Sequence, residues 1–300
     1  MRLRQLAAGH AMRDYLIFVA DIAQAQQREL NRGFAVPLPD GDALQRAAAA
    51  GAPALLAADW PRPLVWLDVL RRMLSALGER TPAGAARDTL AQISAASDDE
   101  LEQQADRLLN GVMLGLNLGW APLIGAAQQV LWSDLVLQTE AHAQAVGQPA
   151  FGRVSDAAGC PACGSRPTAS VVRIDGSHNG LRYVHCSLCS LQWHRVRIEC
   201  THCGRNDKIH YQTLQAQAGA GSNPTGAAEG AVRAECCDDC GHYLKIVQMD
   251  KDPHAEPVAD DLASLTLDLL VSETGAQRHG VNLMLLFGDP DAPAPSSGGP

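Results

Sequence analysis

The sequence predicts an α+β fold: an all-helical N-terminal domain, then two small cysteine-bearing β modules, then a C-terminal helix. Three observations carry this. The first half is rich in Ala, Leu and Gln with apolar residues at helical spacing, while aromatics make up only 4% of the chain, and such poor strand formers favour helix. After about Phe151 the composition changes to β-branched and aromatic runs separated by turns. All nine cysteines lie between Cys160 and Cys240, and none precedes them. A chain of 300 residues has room for about two folding units and can bury a core without disulfides.

The helical elements follow in order. Leu16, Val19, Ile22 and Ala23 share one face of a helix over residues 11–32, and Gly33 just beyond it can take the left-handed conformation that ends a helix. A short Ala-rich helix follows the loop with Pro37, Pro39 and Gly41. A stronger one starts from Pro63, with Leu67, Leu70, Met73, Leu74 and Leu77 on one side and Gly78 beyond. Ser97 with Glu100 makes a capping box that opens a helix through Leu101, Ala105 and Leu108. The uncharged stretch 108–133 carries Asn110, Asn117, Gln128, Gln129 and Pro122. That polar content suits hydrocarbon poorly, so the stretch reads as two helices buried in protein, split near residues 119–122, with no stable membrane insertion. Gly147 and Pro149 close the last long helix. These stripes read as core and not as a cofactor box.

In the second half, residues 170–174 and 181–185 flank a polar turn at 175–180 and read as a hairpin. Further strands are expected over 193–198, 208–214 and 242–248. Residues 216–230 are rich in Gly, Ala, Ser and Pro and read as a flexible insertion; residues 257–272 read as a helix. The expected partition is a helical domain at 1–152, a first module at 153–198, a second at 199–256, a C-terminal helix and extension at 257–287, and a disordered tail at 288–300.

Eight of the cysteines form four Cys-x-x-Cys pairs: Cys160 with Cys163, Cys186 with Cys189, Cys200 with Cys203, and Cys237 with Cys240. A two-residue spacer lets one tight turn aim both sulfurs at a point, and Gly164, Gly204 and Gly241 follow three of the pairs, with Ser190 the exception. One pair supplies half of a tetrahedral four-sulfur shell, so two pairs must meet to hold a metal. The gaps are 22 residues between the first two pairs, 10 between the middle two and 33 between the last two. Sequential pairing builds two ribbon-like modules with one metal each; interleaved pairing remains open but needs longer crossings. Zinc fits such a site, and a single iron fits it equally. Cys236, beside Cys237, should point the other way along a strand and remain a spare thiol. With both shells filled by sulfur, the histidines of this region (His178, His185, His194, His202, His210, His242 and His254) read as surface or supporting residues, His185 and His202 lying closest to the sulfurs. Tyr183, Trp193, Tyr211 and Tyr243 are expected to shield the metal turns and form the modules' cores.

The charge balance excludes some functions. The chain carries a net charge of −9, and the span 157–256 holds ten Lys+Arg against ten Asp+Glu, so no phosphate track is expected and nucleic acid is not a partner. Arg182, Arg195 and Arg197 can make at most a local patch. Nucleophile, base and oxyanion donors cannot be assembled into a catalytic group, which argues against an enzyme. The apolar run from Tyr15 stops at Asp21, too early for a secretory signal. The chain is therefore expected in the cytoplasm with its thiols reduced.

With these features together, the sequence resembles the FdhE family of formate dehydrogenase accessory proteins. The resemblance is carried by Cys160-Pro-Ala-Cys-Gly-Ser, Gly180-Leu-Arg-Tyr-Val-His-Cys-Ser-Leu-Cys, Trp193-His-Arg-Val-Arg-Ile-Glu-Cys-Thr-His-Cys, Cys237-Asp-Asp-Cys-Gly-His-Tyr-Leu-Lys, Lys251-Asp-Pro and Ala259-Asp-Asp-Leu-Ala-Ser-Leu. It covers about residues 158–270; the N-terminal half matches in length and helical character. It implies a cytoplasmic maturation factor with two rubredoxin-like modules, iron in both, acting on the catalytic subunit of respiratory formate dehydrogenase before export. If the chain binds that subunit, the modules are expected to supply the rigid surface on which the arginines and the 259–265 segment are presented. The insertion at 216–230, Cys236 and Asn282-Leu-Met depart from the family pattern. A rubredoxin-like electron carrier is the first alternative and a zinc-ribbon nucleic-acid binder the second.

Overall fold

The computed structural model describes residues 1–286 apart from 146, 148, 153, 157, 175–179 and 215–229. Most of the expected hairpin turn at 175–180, His178, all of the insertion at 216–230 except Gly230, and the tail from 288 lie outside the described residues.

Helices come first: α1 (Arg2–Leu6), α2 (Arg13–Arg32), α3 (Gly41–Ala50), α4 (Val65–Gly78), α5 (Ala85–Ala95), α6 (Asp98–Leu109) and α7 (Ala121–Ala145). Helix α2 buries Leu16, Val19 and Ile22, the face that its spacing predicts, and Gly33 ends it with a φ of 65°. Ser97 caps α6 by accepting from the Glu100 amide at 3.2 Å. Helices α2, α4 and α6 all pack on α7. Buried residues run round most of α7, so it has no broad polar face and forms the centre of the layer.

The chain between α6 and α7 differs from the expected pair of buried helices. Residues 110–120 form turns. Gly111 and Gly115 take φ of 67° and 75°, and the Asn117 side chain accepts from the amides of Gly119 and Trp120. Gln104 then fixes the loop by donating to the Gly115 carbonyl and accepting from the Asn117 amide. Such side-chain bonds offer the backbone an alternative to helix. Among the described residues no helix is long and apolar enough to cross a membrane.

The strands are β1 (Pro167–Val172), β2 (Arg182–Cys186), β3 (Gln192–Arg195), β4 (Ile209–Gln212), β5 (Val232–Cys237), β6 (His242–Gln248) and, after the last helices, β7 (Gln277–Arg278). The two cysteine-bearing segments do not fold apart: they share one sheet in the order β3-β2-β1-β6-β5-β4, with β7 added to β6. Neighbours are antiparallel except that β1 and β6 run parallel, Ser170 opposite Ile246, as do β6 and β7. The parallel pair joins the halves and has a geometric consequence. Pro167 at the start of β1 faces Cys186 at the end of β2, and His242 at the start of β6 faces Cys237 at the end of β5. Both cysteine turns therefore lie at the same end of the sheet.

The expected C-terminal helix is two helices, α8 (Pro257–Ala263) and α9 (Leu265–Glu273), broken at Ser264. Lys245 from β6 causes the break: its buried ammonium donates to the Asp261 carbonyl at 2.6 Å, Ser264 Oγ at 3.1 Å and Asp268 Oδ2 at 2.6 Å. Glu256 caps α8 through the amides of Val258 and Ala259. Helix α1 is latched onto this region, with Arg2 paired to Asp260 at 2.5 Å and Asp252 at 2.7 Å.

Candidate metal centres

Each Cys-x-x-Cys pair sits in a turn whose backbone is set by the residue after its second cysteine. That residue has positive φ in all four: Gly164 at 74°, Ser190 at 60°, Gly204 at 74° and Gly241 at 68°. Glycine enters this region without steric cost; a residue with a Cβ does not. The turns close through backbone bonds from Gly164 to Cys160, Gly204 to Cys200 and Gly241 to Cys237, at 2.8, 3.0 and 2.9 Å. In the second turn the amides of Leu188 and Cys189 point at Cys186 Sγ, 3.4 and 3.5 Å away.

The fold brings the pairs together sequentially. Cys160, Cys163, Cys186 and Cys189 form one cluster, and Cys200, Cys203, Cys237 and Cys240 the other. In the first, Cys160–Cys189, Cys163–Cys186 and Cys163–Cys189 sulfurs are 3.5, 3.5 and 3.6 Å apart. In the second, Cys200–Cys240 and Cys203–Cys237 are 3.7 and 3.8 Å apart. Metal–sulfur bonds of about 2.3 Å in a tetrahedron put the sulfurs ~3.8 Å from one another, so both clusters fit a single tetrahedral ion. Packed together, the thiols of the first cluster shift in opposite directions. Burial raises the Cys163 thiol, but hydrogen bonds from Cys160, Cys186 and Cys189 prevail and hold it well below the ordinary range. Burial pushes Cys186 well above that range. A metal takes cysteine as the thiolate, so an ion held by all four sulfurs would displace their remaining protons. Cys236 joins neither cluster; it packs with Ala234, Tyr243, Leu267 and Val271, and burial pushes its thiol up to about 11.

The two clusters differ in cover. All four sulfur residues of the first are buried and belong to the same apolar core as α2, α4 and α7. The helical layer also bonds its turns directly: Leu55 and Ala57 amides donate to the Ala162 and Cys163 carbonyls, both at 2.9 Å. Gln129 and Ser133 of α7 donate to the Ser187 and Cys189 carbonyls at 2.7 and 3.3 Å. Among the described residues the second cluster has no such roof, Cys203 being exposed and Cys240 half-buried.

Sequence comparison bears on which proteins share this arrangement. Family models described as "FdhE, N-terminal", "FdhE, central domain" and "FdhE, C-terminal domain" match residues 1–148, 159–197 and 198–285. The chain belongs to the FdhE family. It is 38% identical over 288 residues to the "Protein FdhE homolog" of Yersinia pestis (strain Pestoides F), covering 96% of this chain and 87% of that one. It is 37% identical over 284 residues to the homologue of Pectobacterium carotovorum subsp. carotovorum (strain PC1), covering 95% and 85%. The crystal structure of the FdhE protein from Pseudomonas aeruginosa superposes with a TM-score of 0.74 at 35% identity, over 96% of this chain and 94% of that one.

Some residues expected on a presenting surface are internal. Arg182 is fully buried and pairs with Glu235 at 2.6 Å, while also donating to Ser170 Oγ and the Glu199 carbonyl. Arg195 is paired with Glu199 at 2.5 Å. Ala259, Asp260, Asp261, Leu262, Ala263 and Ser264 are all buried. Arg182 and residues 259–264 are thus not a presenting surface, because they are tied into the interior of the fold, whereas Arg197 of the expected patch is exposed. Of the four expected shielding aromatics, Trp193 packs against the core that holds the first cluster, whereas the Tyr211 and Tyr243 hydroxyls donate to Glu235 and Asp268 and Tyr183 packs beside Val171 and Val247.

The histidines also divide. His185 is buried, its Nδ1 accepts from Gln192, and burial with Arg173 lowers it to about 4. His202 stacks on His242, ring centroids 3.8 Å apart and planes 9° from parallel. His279, which sequence reasoning did not single out, meets His202 edge-on at 5.1 Å. Burial first, then His202, Arg166 and His242, lower it to about 4. The Cys240-Gly-His spacing gave a local signal for His242; His279 arrives only through β7, which has none.

Proposed function

We propose that this FdhE-family chain is an accessory protein for respiratory formate dehydrogenase, acting in the cytoplasm on the catalytic subunit before export. The observation that supports a non-catalytic role is the pair of four-cysteine clusters. Four protein sulfurs complete a tetrahedral shell, leaving no open position where a substrate would be activated. Cys160, Cys163, Cys186 and Cys189 would hold one ion, and Cys200, Cys203, Cys237 and Cys240 the other. Iron is the metal that the family resemblance suggests, and zinc fits the same donors. When bound, the ion would offset half of the charge of its four thiolates and cross-link the two turns that carry them. The chain's own residues do the rest: the positive-φ turns aim the sulfurs, and the continuous sheet holds both centres at one end as a rigid face.

A pulldown from anaerobic cells, with metal analysis of the same sample, tests partner and metal together. The expected result is co-purification of the formate dehydrogenase catalytic subunit with two metals per chain, no formate turnover by the purified chain, and lost formate dehydrogenase activity in a deletion strain that still makes the subunit. A deletion strain with full activity would overturn the reading. So would a chain that binds no subunit yet shuttles electrons reversibly with a reductase, which is the electron-carrier alternative.

A further inference from the structure

The half-open second cluster borders donors that its tetrahedral shell does not use. His202, His242 and Cys240 bring their ligand atoms within 4.8 Å of one another, and Cys240 belongs to both this group and the second four-cysteine cluster. His202 is exposed while Cys240 and His242 are half-buried, so the group touches solvent on one side and shares a sulfur with the cluster on the other.

Hydrogen bonding sets the state of these rings. His242 Nδ1 lies 2.8 Å from the Cys240 carbonyl. A carbonyl only accepts, so Nδ1 carries the proton and the lone pair of the neutral ring is at Nε2. Holding one ring nitrogen on a carbonyl while the other stays free is how proteins prepare an imidazole to ligate. The close, nearly parallel stack of His202 on His242 keeps the two rings side by side. His279 supplies an independent sign. It is 3% exposed, its ring stands edge-on to His202, and its buried Nε2 has no hydrogen-bond partner. An orphaned buried ring nitrogen is costly, and here it sits beside two other imidazoles. The first cluster lacks any such group among the described residues; its nearby His185 is engaged by Gln192.

We propose that His202 and His242, together with Cys240, are an entry site that captures a divalent cation from solvent and passes it to the second four-cysteine centre through the shared Cys240 sulfur. Imidazole and thiolate together suit borderline ions such as Fe2+, Co2+ and Zn2+. The transfer is ligand exchange: Cys200, Cys203 and Cys237 replace the two imidazoles and any bound water while Cys240 stays attached. The ion's charge does not change, and the incoming thiols release their protons to solvent as they bind. His279, behind the pair, extends the imidazole cluster inward. This inference rests on the reading that the second cluster holds a metal.

Cobalt(II) alone is the probe, because its tetrathiolate complex has strong visible bands. Reduced, metal-free full-length chain is mixed with limiting cobalt in a stopped-flow spectrometer, and the phase belonging to the second centre is identified by its absence in a Cys237→Ser/Cys240→Ser variant. In a His202→Asn/His242→Asn variant that phase should slow at least tenfold. Final cobalt stoichiometry and the tetrathiolate spectrum should match those of the unchanged chain, which also shows that the variant folds. His202→Asn alone, at an exposed position, should slow the same phase by a smaller factor. Loading at the unchanged rate in the double variant would overturn the proposal. If neither chain develops tetrathiolate bands, the reading of a four-cysteine metal centre fails and the proposal fails with it.

Discussion

Ser190 is the one described residue other than glycine with a positive φ, at 60°, and it occupies the position that Gly164, Gly204 and Gly241 fill in the other three turns. An L side chain in this conformation costs about 1–2 kcal/mol, part of which glycine returns through its greater freedom in the unfolded chain. Ser190→Gly should therefore raise stability by ~1 kcal/mol, read as a higher urea midpoint at unchanged slope. The converse holds at Gly164, where a Cβ would meet Leu56 Cδ1 at 2.6 Å, so Gly164→Ala should lower the midpoint. Cys236→Ala is expected to leave the metal content at that of the unchanged chain, since its thiol sits in an apolar cluster away from the other sulfurs; loss of one equivalent would show that it is a ligand. At this scale the sequence was informative for the eight cysteines, because a Cys-x-x-Cys turn is a local object whose geometry needs only its own residues and the glycine after it. It was uninformative for Arg182 and His279, whose surroundings are assembled from distant strands.

The same division between local and distant causes appears in the elements. Helices α2, α4 and α6 carry their apolar faces in consecutive residues and are legible, as are the caps Gly33 and Ser97, whereas Gly78, expected just beyond α4, is its last residue. The loop at 110–120 was misread as helix because Gln104, a turn of α6 away, decides it by bonding Gly115 and Asn117. The break between α8 and α9 depends on Lys245 reaching in from β6, which helical periodicity cannot reveal. Strand β5 was missed as well, its pairing with β6 being specified across the sheet. The charges at the break make a pH prediction. Burial raises the Asp261 carboxyl, but Arg278 and Lys245 outweigh it and hold the group below its ordinary 3.8. A carboxyl with a depressed folded pKa stabilises the fold fully above its unfolded value, and that contribution disappears as pH falls through the folded value. Asp261→Asn should thus cost about 3 kcal/mol at neutral pH, and its midpoint should converge on that of the unchanged chain as pH drops below 3.8. A gap that persists undiminished in acid would show that shape, not charge, is what Asp261 supplies. Arg182→Met should likewise cost ~3–5 kcal/mol in chemical unfolding, because it leaves Glu235 buried without its ion partner.

Across the whole molecule, one sheet carries two clusters that are alike in ligands and unlike in cover. The parallel pairing of β1 with β6 places both at one end, but only the first lies under the helical layer, with the loop before α4 and the flank of α7 bonded to its turns. To release its ion, the first centre must expose Cys160, Cys163, Cys186 and Cys189, all buried in the main core, so its opening is a near-global event. The second needs only local movement at Cys203 and Cys240, which are exposed and half-buried. Opening free energies range from near zero for exposed segments up to the global value for a core. Metal release from the loaded chain to excess chelator should therefore be biphasic, one equivalent leaving at least tenfold faster than the other. The fast phase should be missing from a Cys237→Ser/Cys240→Ser variant, and the slow phase should accelerate in step with global unfolding as urea is added. Ser133→Ala and Gln129→Ala, which remove the bonds from α7 to the Cys189 and Ser187 carbonyls, should quicken the slow phase and leave the fast one alone. Two equivalents leaving together at one rate would mean that the helical layer does not guard the first centre, and that the difference in burial has no bearing on how the chain keeps its metals.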